Sequence, residues 1–167
     1  MRVGLLADSH DRLPAIAAFM QRFADAHVEM VLHAGDYCSP FALRRLLESR
    51  VPLAGVFGRN DGDHEGLRAE AMTGMGSELY ESPHSFDVGG TRILVVHDIG
   101  EVAQRSLDDH GIVVHGFTHR QEMRESGSTL IVNPGESCGW LGGTPTAAIL
   151  DITSRRVELI RLDAFGD

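Results

Sequence analysis

Three short apolar runs, Val3–Ala7, Val28–His33 and Val51–Phe57, alternate with segments of helical periodicity at Leu13–Ala26, Phe41–Glu48 and Glu65–Met72. Short apolar runs bounded by polar turns are the pattern of strands buried on both faces. Strand–helix–strand repetition predicts a parallel sheet with right-handed crossovers. Pro14 suits a first helical turn, where its missing N–H is not needed. The later half changes period. Ser85–Val88 and Arg92–Val96 flank the turn Gly89-Gly90 as a hairpin, and Glu101–Asp109 reads as a helix. Ile112–His115, Glu122–Glu125, Thr129–Val132, Thr146–Ile152 and Val157–Leu162 read as short strands. The expectation is a mixed α/β fold in which two sheets pack together with helices outside. Its 167 residues are read as a single domain, spanning 1–167.

Charge narrows the function classes. Fifteen Lys and Arg against twenty-four Asp and Glu give a net charge of −9, which argues against a protein that coats long nucleic acids. No stretch approaches the length of a membrane span, and the opening MRVGLLADSH reaches a charge and a histidine too soon for a signal peptide. A soluble cytoplasmic protein without a membrane partner is expected, with homo-oligomers favoured only by their general frequency. Cys38 and Cys138 lie too far apart for a disulfide framework or a four-cysteine zinc site, and read as small packed thiols. Met72 and Met75, beside Gly74 and Gly76, are expected to pack or to cover a loop. Trp140, in a Gly-rich segment, reads equally as a hydrophobic plug or as the wall of a cleft.

The chemistry collects where the apolar runs stop. The first ends in Asp8-Ser9-His10, the second in His33-Ala34-Gly35-Asp36, the third in Gly58-Arg59-Asn60-Asp61. Later runs end in His97-Asp98 and in His115-Gly116-Phe117-Thr118-His119. In α/β sheets the C-terminal edge of the strands is where ligands bind. If the strand conformation persists, Asp8 and His10 point the same way, and a carboxylate with an imidazole suits Mn, Fe, Zn or Ni. Taken alone, Asp8 reads first as the cap of the helix beginning near Pro14 with His10 solvated, and Asp36 reads equally as a turn residue. His115 and His119 have the spacing of a helical zinc pair, but the β-branched run before them argues against a helix.

The order Asp-x-His, Gly-Asp, Gly-x-x-Asp, His and Gly-x-x-His resembles that of calcineurin-like metallophosphoesterases, especially their small bacterial and archaeal phosphodiesterase branch. The likeness rests on Ala7–Asp11, His33–Asp36, Val56–Gly62 and the turn Asn133-Pro134-Gly135-Glu136-Ser137, and extends from Met1 to about Leu162. It implies a four-layer α-β-β-α sandwich of two mixed sheets with a two-metal site at one edge. By motif position Asp8, His10, Asp36 and His119 would hold the first divalent ion, manganese before iron, zinc or nickel. Asp36 would bridge to a second ion that His97 also binds.

Two positions depart from the pattern, and both belong to the second ion. Arg59 stands where the family has asparagine, and Phe117 where it has histidine. Phenylalanine has no ligand atom and arginine is a fixed positive charge. Asn60, one residue later, is a substitute ligand only if the register slips, and Asp61 argues that it does not. The resemblance then implies a phosphoesterase acting on a small phosphodiester through a metal-bound hydroxide, with a degraded second site. Arg59 would pair with Asp36 and grip the phosphate, His97 or Asp98 would place water or a proton, and Asp61 would orient its neighbours. The alternative is a non-catalytic phosphate sensor or protein-interaction scaffold on the same fold.

Overall fold

The structure is a computed structural model, and residues 1–74 and 76–163 are described. Met75 lies outside them.

The first sheet runs β1 (Arg2–Leu6), β2 (Met30–His33), β3 (Leu53–Val56) and β4 (Glu78–Tyr80) in parallel. On the other side of β1 lie β10 (Thr146–Asp151) and β11 (Arg156–Arg161), both paired antiparallel to their neighbours. The second sheet has the order β5 (His84–Val88), β6 (Thr91–Val96), β7 (Ile112–His115), β9 (Thr129–Pro134), β8 (Gln121–Ser126). Its three central strands are parallel, and each edge strand is the antiparallel arm of a hairpin.

Alternation along the strands builds the layers. Val3 and Leu5 of β1 face the second sheet and meet Ile93, Val95, Ile112, Val114 and Val132 in a core between the sheets. Leu6 faces the other way, onto Phe19 and Phe23 of α1 (Leu13–Asp25) and Leu43 and Leu46 of α2 (Pro40–Leu47). Leu67 and Ala71 of α3 (His64–Ala71) complete that layer. Leu94, Val96, Val113 and Ile131 cover the far face of the second sheet with Leu107 of the short α4 (Gln104–Asp108). The result is the expected α-β-β-α sandwich of two mixed sheets. No helix among the described residues is long and apolar enough to cross a membrane.

Three local expectations change. β4 carries too short an apolar signal to stand out in the sequence, and exists because it adds to the parallel edge beside β3. The helix expected over Glu101–Asp109 divides into a single 3-10 turn, Ile99–Glu101, and α4. Asp98 makes that break by accepting the Gly100 N–H at 2.9 Å. Met72 does not pack, being 85% exposed at the end of α3.

Candidate metal centre

All the polar strand ends singled out in the sequence meet at one end of the sandwich, and they come from both sheets. The strand geometry expected to align Asp8 with His10 does not persist, because β1 stops at Leu6. Asp8 and His10 instead adopt left-handed backbone, with φ of 51° and 37°. Asp36, Cys38, Phe117 and His119 do the same, with φ of 62°, 76°, 67° and 59°. Non-glycine residues in this region each cost of the order of 1 kcal/mol, and their clustering marks a site that the surrounding fold holds in place.

The holding contacts are identifiable. Asp61 is buried and accepts the N–H groups of Gly58 at 2.7 Å, Cys38 at 2.7 Å and Asp36 at 3.0 Å, so it shapes the loops after β2 and β3 together. Burial raises its pKa, against the lowering effect of those N–H groups. Gly58 is needed for the close approach, since a Cβ there would lie 2.2 Å from Asp36 Oδ1. Asn133, at the end of β9, donates to Gly116 O at 2.9 Å and Thr118 Oγ1 at 3.0 Å, which fixes the loop carrying His119. His33 is structural. Burial holds it down to about 3, so it stays neutral, and it bonds Ser9 Oγ and the Gly35 N–H.

Three histidines enter the centre with one nitrogen anchored behind. His97 Nδ1 donates to Ala34 O at 2.8 Å, and His119 Nδ1 donates to Glu136 Oε2 at 3.0 Å. A carbonyl and a carboxylate only accept, so both rings carry the proton on Nδ1 and present a bare Nε2 forward. His10 Nδ1 rests on Cys38 Sγ at 3.2 Å. The three Nε2 atoms point at two buried carboxylates: His10 at Asp36 Oδ2 (3.5 Å), His97 at Asp36 Oδ1 (3.5 Å), His119 at Asp8 Oδ1 (3.6 Å).

These separations are too long for hydrogen bonds and suit two ligands about one ion. Asp8 Oδ1, His10 Nε2 and His97 Nε2 are buried without any hydrogen-bond partner. Such orphaned groups are costly unless an ion takes their lone pairs. The residues present therefore fit a divalent metal. Ligand atoms of Asp8, Asp36 and His97 lie within 4.8 Å of one another, as do those of His10, His119 and Cys138.

Burial raises the Asp8 carboxyl to about 7, and the neighbouring histidines lower it only in part. A proton there favours folding of the metal-free chain, so this contribution is full below about pH 4 and is lost as pH rises through about 7. An entering ion must displace that proton. Calorimetric titration of the metal-free protein should show affinity for a divalent ion falling about tenfold per pH unit below 7 on account of Asp8 alone. A pH-independent affinity between 5.5 and 7 would contradict this account.

The second-ion space is filled differently from expectation. Arg59 does not pair with Asp36. Its Nη2 donates to Asp98 Oδ2 at 2.7 Å and Glu101 Oε1 at 2.6 Å, and its guanidinium lies 4.2 Å from the Phe117 ring centre. The long side chain reaches past the buried carboxylate to an aromatic face, the half-buried Asp98 and the exposed Glu101. Asp98 is thereby committed to Arg59 and to the 3-10 turn. Asn60 binds Asp36 with both nitrogens, its N–H on Oδ1 at 2.8 Å and its Nδ2 on Oδ2 at 2.7 Å.

Sequence reasoning missed Glu136 as an individual residue. It is buried, orients His119, and accepts from Leu141 N and from Gly142 N. The one available signal was a carboxylate directly after Asn-Pro-Gly, in a segment too rich in glycine to pack it against apolar side chains. Cys138 also proves to be more than packing, since its thiol donates to Glu136 Oε2 at 3.3 Å and burial pushes it up to about 12. Trp140 is no plug: it is 58% exposed, and its indole N–H donates to His10 O at 3.3 Å.

With this geometry the comparisons with known proteins agree. Residues 1–155 match the calcineurin-like phosphoesterase superfamily domain, and the chain belongs to that superfamily. A phosphodiesterase of Methanocaldococcus jannaschii is 29% identical over 167 residues, covering 98% of this chain and all of that one. The solved structure of an archaeal phosphodiesterase is 28% identical and superposes with a TM-score of 0.90, over 97% of this chain and all of that one. Wild-type Vps29 of Entamoeba histolytica, solved with zinc, shares the fold at 20% identity and a TM-score of 0.66, covering 97% of this chain and 98% of that one.

Proposed function

We propose that this chain is a metal-dependent phosphodiesterase for small diesters, built around one divalent ion, manganese first among the candidates. The observation that carries the reading is the convergence of three Nε2 atoms on Asp8 and Asp36, with Asp8 Oδ1, His10 Nε2 and His97 Nε2 buried and unpartnered. Asp8, His10, Asp36 and His119 hold the ion. Bound there, it would supply Lewis acidity toward an attacking water and a phosphoryl oxygen.

The remaining roles fall to the chain itself. Glu136 and Asp61 keep His119 and the Asp36 loop in place. Asn60 leaves each Asp36 oxygen a lone pair while fixing the carboxylate's orientation. His97, its Nδ1 proton committed to Ala34 O, offers its bare Nε2 as an acceptor that places a water beside the phosphorus. Arg59 uses only Nη2 for its two ion pairs, and among the described residues its Nη1 and Nε have no protein partner. That free edge grips a phosphoryl oxygen where a two-ion site would place its second cation.

The test is hydrolysis of a chromogenic phosphodiester across a manganese titration, repeated with iron, zinc and nickel, with Asp36→Asn as control. Metal-dependent turnover lost in the control is the expected result. No turnover with any of the four ions would overturn the reading and favour a phosphate sensor or an interaction scaffold.

A further inference from the structure

Two exposed aromatic rings border the centre. Trp140, 58% exposed, is tied by its indole N–H to the backbone of His10, and the Arg12 guanidinium lies 4.5 Å from its ring centre. Arg12 in turn donates to Cys138 O at 2.6 Å, which holds the pair against the loop beside Asp8. Phe117, 39% exposed, meets the His97 ring edge-on with centroids 5.7 Å apart and carries Arg59 on its face. Its backbone N–H donates to Asp8 Oδ2 at 3.1 Å. Trp140 thus borders the centre at His10 and Phe117 borders it at His97, two histidines that address different oxygens of Asp36.

What sets these two exposed rings apart from Phe41 is their place: each is tied to a residue of the centre, Trp140 to His10 and Phe117 to His97 and Asp8. Each has a cation on one side, which makes it a π surface already oriented for stacking. A phosphodiester leaves its phosphorus in two directions, one ester arm to each side. In hydrolysis a water oxygen bonds to phosphorus, one ester P–O bond breaks, and the departing oxygen takes a proton.

We infer that Trp140 is a specificity-determining wall that stacks a planar ring on one ester arm, with Phe117 contacting the other. The substrate class is a phosphodiester bearing at least one aryl or nucleobase arm. This rests on the phosphodiesterase reading and names the substrate class of that site. Arg12 sets the attitude of the Trp140 ring, and Arg59 that of Phe117. Diesters with two small alkyl arms lack the group these rings hold.

Trp140 is the only tryptophan of the chain, so its fluorescence reports this wall directly. The metal-loaded protein is titrated with diphenyl phosphate, with a dithymidine monophosphate and with dimethyl phosphate. The first two should quench Trp140 emission and the third should not. Quenching by diphenyl phosphate alone assigns an aryl arm, and by the dinucleotide alone a nucleobase arm. In hydrolysis assays with an aryl diester, Trp140→Ala should raise KM about tenfold, while Trp140→Phe, which keeps a ring and loses the N–H, should stay near wild type.

Equal losses in the Ala and Phe variants would show that the indole N–H on His10 is what matters, and would overturn the wall. Metal-dependent turnover with no quenching and an unchanged KM would overturn the wall and leave the phosphodiesterase reading standing. Quenching without turnover for any ion would uphold the ring-bearing ligand and overturn the enzyme.

Discussion

Alanine at His10 lowers metal-dependent turnover by at least about a thousandfold, because it removes an ion ligand from the centre rather than a contact around it. Ion affinity, read by calorimetry, drops with it. Glu136→Gln is the informative comparison. It leaves every proposed ligand atom in place and weakens only the acceptor that sets the His119 tautomer. Its affinity should fall by the 10–100-fold typical of a lost supporting partner, less than for His10→Ala. Neither change creates a large cavity in the apolar core, so circular dichroism and the melting midpoint should stay close to wild type. Turnover in purified His10→Ala equal to wild type would remove the proposed centre from consideration.

The double variant Arg59→Asn with Phe117→His should raise bound metal from about one ion per chain toward two, measured by elemental analysis after dialysis. His97 Nε2 already lies unpartnered beside Asp36, and the change adds an amide oxygen and an imidazole around the same space. Either substitution alone should fall short. Arg59→Asn leaves the phenyl ring in position, and Phe117→His leaves the guanidinium, held by Asp98 and Glu101, against the new ligand. Residues in direct contact of this kind do not act additively. A stoichiometry that stays at one would show that something other than this pair excludes the second ion.

The layers of the fold and the location of the centre were legible because they depend on signals that survive in one dimension. The short apolar runs marked β1, β2 and β3 as buried strands, and their polar ends are the residues that the structure brings together at one edge. The detail around Arg59 was not legible. Whether its side chain turns toward Asp36 or across Phe117 depends on a left-handed residue at 117 and on a 3-10 turn that brings Asp98 and Glu101 near. Nothing in local composition encodes either. Glu136 was hidden for a related reason: besides the nearby Cys138 thiol, its partners are backbone N–H groups and a histidine seventeen positions away. Asn60 was noticed, but its direction is set by the approach of the loops at Gly58, a contact between strands 25 residues apart in their key residues Asp36 and Asp61.

The centre draws Asp8 and Asp36 from one sheet and His97 and His119 from the other. An ion held by both halves is a crosslink between them, closing a loop of more than eighty residues between His119 and Asp36 that no covalent bond closes. It resists any fluctuation that slides one sheet over the other, while leaving the outer hairpins free to breathe. Chelation should therefore change the protein's hydrogen exchange in a distinctive pattern. Amides of β1, β2 and β7, which face the seam, should lose protection together, and those of β8 and β11 at the outer edges should hardly respond. The ion's mechanical role would be read in a sample that has never met a substrate.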